Sequence, residues 1–518
     1  MIRSAVHRQV PGLLVADRVP VNARTFKVVR ELGSALLLWG LNERRSQERS
    51  DSIAGVSQRL RLASEELGPT FIKLGQIISS GRGVFPVELV DEFAKCRDQV
   101  PAEDFPTVRS VVESDFGRPL EEVFSEFDPT PLAAASIAQV HRAVLRPEFQ
   151  NMGTSAEIVV KVQRPRVAER VHEDIRILSW LAPFMIGRIP VAALANPPAL
   201  VEVFAETIVE ELDFRLEAAN MLDVAQAMAE DGTFVLPAPH QQLVTRRVLV
   251  MERLAGFNFE DIEGMKDAGI DTHAIIRAAM IGFLEGAMMH GVFHGDLHGG
   301  NLFVQPDGAV ALFDFGITGR LDAAKRQALL RLLMSGMMSD MKGQLAAIRD
   351  LGALPQDTDL DQVIADLGLD HAPLDPTALT PDQLIEELQK FMKQLLGYGA
   401  RLPKVLMLFV KNMMFVDAAI GTLAPDLDLM GEVAAIAGHF ATKHGETLAT
   451  EMGIQPGDFQ VDLTSFKDSL GVDRTTESIT YAELQQRRQL IESRLRDREG
   501  SGIRARLGQL KRLISRKS

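Results

Sequence analysis

The fold is decided by the stretch HGDLHGGNLF at residues 294–303, which is followed by FDFG at 313–316. Four residues separate Asp296 from Asn301, and Asp314 follows Asp296 by 18 positions. A phosphoryl-transfer site needs an acidic residue that orients the nucleophile and an Asn–Asp pair of oxygen donors for magnesium. The order Asp-x4-Asn then Asp-Phe-Gly is that of protein kinases. Two unrelated turns with Asx-type caps are the alternative, but the two halves occur together.

Short apolar runs flank the motif and predict a small β-hairpin. The runs are LFV at 302–304 and VALFDFG at 310–316, with the turn signal PDG between them. His294 takes the position of the histidine in the kinase loop, and we expect it to pack structurally. For His298, a place beside the substrate or a metal and simple packing both stay open.

A lysine upstream, Lys161 in IVVKV, lies on a predicted strand and would pair the α/β phosphates of ATP and a helix carboxylate. The next long helical pattern, VEELDFRLEAAN at 209–220, supplies the carboxylates. Asp213 and Glu217 are four residues apart and share a helix face, whereas Glu211 and Asp213 do not. One helix face therefore offers a carboxylate partner for the lysine, which leaves Glu211 for another role. The alternative is that these acidic residues form a solvent-exposed face.

A glycine-rich loop is absent from the position ahead of this lysine. The sequence there is PLAAASIAQVH at 131–141, where a protein kinase carries G-x-G-x-x-G. Glycine lets the backbone approach phosphate closely and adopt positive φ, and Ala133, Ala134 and Ala135 do this less freely. Ser136 offers a hydroxyl. The phosphate cover is therefore built differently, which argues against ordinary protein phosphorylation.

Composition sets limits on the class of protein. The chain has 518 residues, 46% hydrophobic and 24% charged, which is ordinary globular composition. A net charge of −14 argues against a general nucleic-acid binder, and the single cysteine, Cys96, excludes an intramolecular disulfide framework. We expect no secretory signal and no clean membrane span, since prolines interrupt the apolar stretch at 177–201.

The pattern along the chain predicts an α+β fold with two lobes. Helical periodicity covers the first 125 residues, strands follow at QVHRAVL, IVVKVQ and RRVLVMERL, and helices dominate after 272. The predicted domains are an N-terminal helical region at 1–60, a helical extension at 61–125, an N-lobe at 126–255, a C-lobe at 256–425 and a tail at 426–518.

These motifs together resemble the UbiB (AarF-type) atypical kinase-like family, over roughly residues 25–425. The family is associated with quinone (coenzyme Q) biosynthesis and lipid metabolism. The motifs that carry the resemblance are KLGQ at 73–76, AAAS at 133–136, VVKV around Lys161, ELDFRLEAAN at 211–220, HGDLHGGN at 294–301 and DFG at 314–316.

The resemblance implies a role for each matching residue. Lys161 would hold the nucleotide phosphates and pair with Glu217, while Asp296 would be the catalytic-loop aspartate. The magnesium ligands would be Asn301 and Asp314. Further implied positions are the nucleotide cover at Ala133, Ala134, Ala135 and Ser136, the hinge at Met251, Glu252 and Leu254, Lys73 and Gln76 on an N-terminal extension over the active site, and Glu211 and Asp213 facing that extension.

The resemblance also bears on substrates. An extension over the active site would block a peptide, so members are similar to ATPases or small-molecule kinases. Two departures stand out: IISSGRGVFP at 77–86 replaces the usual Arg-Pro-Asp-like turn, and this chain has no predicted C-terminal membrane-spanning helices of the kind some relatives carry. The sequence therefore does not support direct membrane anchoring through C-terminal spanning helices.

The C-terminal end differs in charge from the rest. Residues 501–518 hold six basic residues and no acid, so of the net −14 the remaining 500 residues carry −20. Ile503, Leu507, Leu510 and Ile514 fall at helical spacing. A basic amphipathic helix is typical of attachment to a membrane surface or docking to a partner, and a disordered basic tail is the alternative.

The favoured function is an ATP-binding atypical kinase or ATPase, dependent on Mg²⁺, that supports quinone or isoprenoid-lipid metabolism. It is expected to be cytoplasmic and peripheral at the inner face of a membrane, with a lipid or quinone-type small molecule as partner. A soluble small-molecule kinase is one alternative. The other is a nucleotide-sensing scaffold that recruits a lipid-biosynthesis complex without useful chemistry.

Overall fold

The computed structural model describes residues 2–15, 22–42, 49–79, 85–96, 101–150, 155–185, 197–228, 234–337, 340–368, 397–400, 403–452 and 478–486. Its internal contacts divide the chain into two units. The first comprises 1–260, 294–305 and 309–318, so it contains both HGDLHGGNLF and the DFG sequence. The second comprises 261–293, 306–308 and 319–518.

The first unit carries the N-terminal helices. Local signals explain their ends: Asp104 caps α7 by accepting the Thr107 N–H at 2.9 Å, and Gly117, at φ +66°, ends it. Its helices are α1 (Ile2–His7), α2 (Val10–Leu14), α3 (Ala23–Asn42), α4 (Arg49–Leu67), α5 (Pro69–Ser79), α6 (Val87–Phe93), α7 (Phe105–Phe116), α8 (Leu120–Val123), α9 (Val167–Met185), α10 (Pro197–Glu211) and α11 (Phe214–Ala227).

A five-stranded antiparallel sheet in this unit has the order β1-β2-β3-β6-β5. On β3, Ile158, Val160 and Val162 are buried in one core with Val108 and Val112 of α7. Because side chains alternate across a strand, Lys161 points to the other face. The strands are β1 (Phe124–Ala134), β2 (Ala138–Leu145), β3 (Glu157–Gln163), β5 (Pro239–Val244) and β6 (Val248–Glu252).

The strands predicted from the sequence are confirmed at β2, β3 and β6, but β1 was not predicted. Its sequence, FSEFDPTPLAA, contains Pro129 and Pro131. Proline cannot donate to a sheet ladder and is therefore confined to edges and bulges. The structure places β1 at the edge of the sheet, with register irregularities on both sides of Pro131.

A second, four-stranded sheet in the first unit carries the phosphoryl-transfer motif. Its order is β4-β10-β9-β7, and β9 and β10 form the predicted antiparallel pair. The helical pattern predicted at 209–220 is divided between α10 and α11, which end and begin on either side of Leu212 and Asp213. The strands are β4 (Phe234–Val235), β7 (Phe257–Asn258), β9 (Leu302–Val304) and β10 (Val310–Leu312), with β8 (Val292–His294) and β11 (Thr318–Arg320) in a two-stranded sheet.

The helix with the KLGQ sequence packs closely on its neighbour. In α5, a Cβ on Gly75 would lie 2.5 Å from Cδ1 of Phe93 in α6, and Phe93 is only 4% exposed. The ring has little room to move because it belongs to a core with Trp39 and Val56. The glycine of this motif is therefore required by helix packing, whatever its neighbours do chemically.

The second unit is helical in the part that the structure describes. Phe283, Phe293 and Phe409 form one aromatic cluster, with centroids 5.2–6.1 Å apart. Buried Glu285 accepts hydrogen bonds at 2.7 Å from His439 and His444. Its helices are α12 (Ile262–Asp267), α13 (Thr272–Glu285), a π-turn at Gly286–His290, α14 (Ala323–Met337), α15 (Met341–Asp350), α16 (Leu360–Leu367), α17 (Lys404–Leu423) and α18 (Leu429–Met452).

One helix among the described residues, Lys404–Leu423, is long and apolar enough by length and composition to cross a membrane. The sequence predicts helices in this part of the chain but no membrane span. The mean hydropathy of this helix is 1.5, and 39% of the window is buried within the protein. Buried core helices pass the same test, and this one contributes Leu408, Phe409 and Val416 to the interior. The basic segment at 501–518 lies outside the described residues.

Two glycine substitutions test the packing of the KLGQ helix. We expect Gly75→Ala to lower the free energy of unfolding by about 1–3 kcal/mol, because the added methyl overlaps the buried Phe93 ring. The matched control is Gly33→Ala in α3, where nothing lies within 4 Å of the added methyl. It should raise the free energy by about 0.5–1 kcal/mol through helix propensity alone. Denaturant unfolding measures both, and shifts of the same sign would contradict this packing.

Candidate functional site

The ion pair of Lys161 and Glu217 lies at the centre of the candidate site. Lys161 Nζ, on β3, lies 2.8 Å from Oε1 and 3.0 Å from Oε2 of Glu217 on α11. Both side chains are largely buried, at 12% and 4% exposed. The ammonium also stands 5.4 Å from the centre of the Phe214 ring. Burial alone lowers the pKa of Lys161, but the charges of Asp314 and Glu217 outweigh it and hold the pKa above its ordinary value.

Asp314, the aspartate of the DFG sequence, is held in an unusual backbone conformation beside this pair. Its φ is +54°, in the left-handed region that non-glycine residues seldom adopt. Oδ1 lies 3.4 Å from Lys161 Nζ and accepts the Gly316 N–H at 3.2 Å. The Asp314 side chain is 52% exposed, and the charges of Lys161 and Lys73 outweigh its partial desolvation and lower its pKa, so the carboxylate stays ionised. Strain of this kind clusters at functional sites and costs on the order of 1–3 kcal/mol.

The loop from His294 to Asn301 is fixed by its own hydrogen bonds. His294 is buried, with its Nε2 2.9 Å from the Phe313 carbonyl and its Nδ1 3.1 Å from the Asp296 N–H. Burial lowers the pKa of His294, so the neutral ring donates through Nε2 and accepts at Nδ1. This agrees with the structural role expected for it. The exposed His298 accepts the Gly300 N–H at 3.1 Å.

Asn301 connects the two halves of the motif. Its Nδ2 donates to the Asp296 carbonyl at 3.0 Å, and its own carbonyl accepts the Phe313 N–H at 3.0 Å. The amide therefore faces Asp296 with its nitrogen, which leaves Oδ1 as the atom that a cation would meet. The side chain is nearly buried, at 8% exposed. The backbone of Asn301 is therefore hydrogen-bonded to Phe313, the residue directly before Asp314.

The helix α5 contributes a second lysine. Lys73 Nζ lies 3.0 Å from Oε1 of Glu211, at the end of α10, and both side chains are largely buried. Among the described residues, this buried oxygen makes the ion pair with Lys73 and no further hydrogen bond. Burial lowers the pKa of Lys73, but Glu211, Asp296 and Asp314 together hold it above its ordinary value. Gln76 lies one turn further along the same helix.

The charges of this group do not balance. Four carboxylates, those of Glu211, Glu217, Asp296 and Asp314, meet two ammonium groups, those of Lys73 and Lys161, and this leaves two negative charges. Burial is the largest influence on the pKa of Glu217 and raises it to about 7, and burial likewise raises the pKa of Glu211. A divalent cation bound by oxygen donors would restore the balance, and Asn301 and Asp314 offer such donors. The residues present therefore fit magnesium.

The alanine-rich turn joins β1 to β2 without any left-handed residue. Ala135 N–H donates to the Ala138 carbonyl at 2.9 Å, and Ser136 is buried at 2% exposed. Arg164 fixes the turn by two hydrogen bonds. Its Nε donates to the Ala135 carbonyl at 3.0 Å and its Nη1 to Glu103 at 3.0 Å. Ala133 is exposed and Ala134 half-buried, so the turn presents small apolar side chains to solvent.

Asp213 and the predicted hinge residues lie at or beside the ends of helices and strands. Asp213 does not contact the lysine of α5: it begins α11, where its carboxylate accepts from the Arg215 N–H and binds the Arg215 guanidinium at 2.9 and 2.6 Å. The reason is its position, since an Asp just before a helix caps its first turn. In the predicted hinge, Met251 and Glu252 end β6, and Leu254 follows in the connection to β7.

Three residues that hold the site or its alanine turn in place were not predicted from the sequence. Asn220, on α11, donates from Nδ2 to the Phe315 carbonyl of the DFG sequence at 2.8 Å and is itself bound by Arg3 of α1. Arg164 and Phe214 also had no signal, since a single arginine or phenylalanine in a helical or strand pattern is common. Their position within ELDFRLEAAN was the available clue for Phe214 and Asn220.

Comparison with known proteins gives a consistent result. The family model for the ABC1 atypical kinase-like domain matches residues 95–347. KLGQ lies ahead of that range. An uncharacterized protein of Mycobacterium tuberculosis is 32% identical over 452 residues, which cover 85% of this chain and 88% of that protein. The probable protein kinase UbiB of Vibrio parahaemolyticus is 30% identical over 379 residues, or 72% of this chain and 68% of that protein.

Two further matches are weaker in coverage or in structure. The chloroplastic protein ACTIVITY OF BC1 COMPLEX KINASE 1 of Arabidopsis thaliana is 30% identical over 73% of this chain and 54% of its own length. A solved complex of a Mycobacterium tuberculosis protein with erythromycin covers 68% of this chain and 91% of that chain, at 21% identity and a TM-score of 0.38. A structural similarity with this TM-score adds nothing to the relationships found from sequence.

The raised pKa of Glu217 predicts how stability depends on pH. A carboxyl group whose pKa is higher in the folded than in the unfolded chain stabilises the fold at low pH, and this contribution is lost as pH rises through about 7. In EDTA, the free energy of unfolding measured by denaturant should therefore rise as pH is lowered from about 8 to about 6, and Glu217→Gln should reduce that slope by up to about 1.4 kcal/mol per pH unit. The exposed Glu169→Gln on α9 is the control. Equal slopes for Glu217→Gln and the wild type would contradict the assignment.

Proposed function

The chain belongs to the ABC1 atypical kinase-like family, and on that premise we propose that it is a magnesium-dependent ATP-binding enzyme. It transfers the γ-phosphoryl group of ATP to water or to a small acceptor. Its role is in quinone or isoprenoid-lipid metabolism, as the resemblance to the UbiB family implies. One observation carries the proposal: Lys161 contacts Glu217 at 2.8 Å and Asp314 at 3.4 Å within a cluster that has an excess of carboxylates.

Each residue has a part in this chemistry. Lys161, oriented by Glu217, binds phosphate oxygens of ATP, and Asn301 and Asp314 hold the magnesium ion. Bound magnesium neutralises charge on the β- and γ-phosphates. Asp296 orients the attacking oxygen and takes its proton. The oxygen forms a bond to the γ-phosphorus as the bond to the β-phosphate oxygen breaks, and ADP leaves.

The α5 helix favours a small acceptor over a peptide. Lys73 is ion-paired with Glu211 at 3.0 Å, and the charges of Asp296 and Asp314 also act on it. The Lys73 side chain therefore occupies space beside Asp296, which orients the nucleophile. Water or a small alcohol needs less room there than an extended polypeptide. The alanine turn, which lacks glycine, supports the same conclusion.

The proposed location is the cytoplasmic face of a membrane, with attachment to its surface. The support is the sequence of the last 18 residues, which carry a charge of +6 and an apolar stripe. Such segments attach to anionic surfaces with about 1 kcal/mol for each Lys or Arg near the surface. A lipid or quinone-type acceptor would be met at that surface.

Substitution of the two aspartates tests the chemistry. Asp296→Asn removes the group that takes the proton, and Asp314→Asn removes a magnesium ligand. Each should lower Mg²⁺-dependent ATP hydrolysis by about 10²–10⁴-fold, which is the usual contribution of a positioned general base or of the metal set. The measurement is phosphate release by the full chain with and without Mg²⁺.

The matched control is Asp223→Asn, which removes a carboxylate from an exposed position on α11, the helix that carries Glu217. It should hydrolyse ATP at the wild-type rate. Wild-type turnover by both Asp296→Asn and Asp314→Asn would overturn the mechanism, and the thermal midpoints of all three variants establish that each is folded.

A further inference from the structure

A cavity of about 400 Å³ lies in the first unit, and neither Lys161 nor Glu217 lines it. The short N-terminal helices form one side of it, and the junction between α10 and α11 forms the other. Its apolar lining comes from Ile2, Val6, Val209 and Leu212. The volume is within the range of small-molecule sites, which is about 300–1,000 Å³. Nothing in the phosphoryl chemistry proposed above uses this cavity.

The N-terminal helix α1 is held in place by contacts on its other side. Arg3 Nη1 lies 3.2 Å and His7 Nε2 lies 2.6 Å from Oε1 of Glu210, whose side chain is 6% exposed. A carboxylate that is buried and bound by two side chains of one helix fixes that helix firmly. The residues of α1 and α2 that line the cavity are therefore presented by a positioned element.

The charged part of the lining is positive. The lining contains three arginines, Arg8, Arg215 and Arg246, and one carboxylate, that of Asp213. Arg215 already binds that carboxylate through two nitrogens. Among the described residues, the side chains of Arg8 and Arg246 form no hydrogen bond or ion pair. Two guanidinium groups are thus available, in a chain whose net charge is −14.

A histidine in the lining reports the same positive surroundings. His172, on α9, is half-buried at the cavity. Burial lowers the pKa of His172, and the charges of Arg246 and Arg176 lower it further. A neutral imidazole can donate a hydrogen bond to an anion without adding a charge that the arginines would repel.

We propose that this cavity binds an amphiphile that has a phosphate head group and a hydrocarbon chain. The guanidinium groups of Arg8 and Arg246 bind the head, since the planar donor fork of arginine matches phosphate oxygens. The chain lies along Ile2, Val6 and Val209. Both arginines are exposed on their outer side, so the head group enters from solvent and the chain follows the apolar wall inward.

Calorimetric titration of the full chain with three probes, each below its micelle concentration, tests the proposal. Octyl phosphate carries head and chain, inorganic phosphate the head alone, and octyl glucoside the chain with a neutral head. We expect saturable 1:1 binding of octyl phosphate, at least about tenfold tighter than inorganic phosphate, and no saturable binding of octyl glucoside. Equal affinities for octyl phosphate and phosphate would overturn the chain site, and absence of saturable binding would overturn the whole proposal.

Two variants separate the parts of the site. The double variant Arg8→Gln/Arg246→Gln should lose at least tenfold in octyl phosphate affinity, whereas Arg170→Gln, an exposed arginine of α9 outside the cavity, should lose none. Ala5→Trp fills the cavity from an exposed helix position and should reduce octyl phosphate affinity to that of inorganic phosphate. Wild-type affinity in either cavity variant would contradict the assignment, and unchanged ADP binding shows that each remains folded.

Discussion

The imbalance between four carboxylates and two lysines around Lys161 is the constraint on which the rest of the site depends. Lys161 and Lys73 approach from different elements, a strand and a helix, and neither alone balances the acidic groups. Burial raises the pKa of Glu211 and Glu217 because it removes water from their charged forms, and the nearby lysines offset this only in part. In the function proposed above, a divalent cation and its nucleotide would balance the remaining negative charge.

The scaffold holds this group together by contacts that have no chemical role. Gly75 allows α5 to approach α6 closely enough to place Lys73, and the buried valines of β3 turn Lys161 to the opposite face of the sheet. Asp213 begins the helix that carries Glu217. A change in any of these positions would act on the site through geometry, and the same residues hold the first unit together.

Much of the site was predictable because its residues occur in short motifs. The strand position of Lys161 and the hairpin after Asn301 follow from periodicity and turn signals, and the structure places Glu217 against Lys161. The first strand was missed because prolines argue against a strand unless its edge position is known. The resemblance implied that Asp213 faces the N-terminal extension, and helical spacing did not show that Asp213 caps the start of α11. The cavity beside Arg8 and Arg246 depends on residues far apart in sequence, so no local pattern predicts it.

The dependence of nucleotide affinity on magnesium tests the central claim most directly. The measurement is the Kd of a non-hydrolysable ATP analogue for the full chain, in excess Mg²⁺ and in EDTA, with Asp314→Asn for comparison. The charge imbalance predicts binding at least about tenfold tighter with Mg²⁺ in the wild type and little difference in the variant. Equal affinities in Mg²⁺ and EDTA for the wild type would show that the acidic group around Lys161 does not serve a magnesium–nucleotide site.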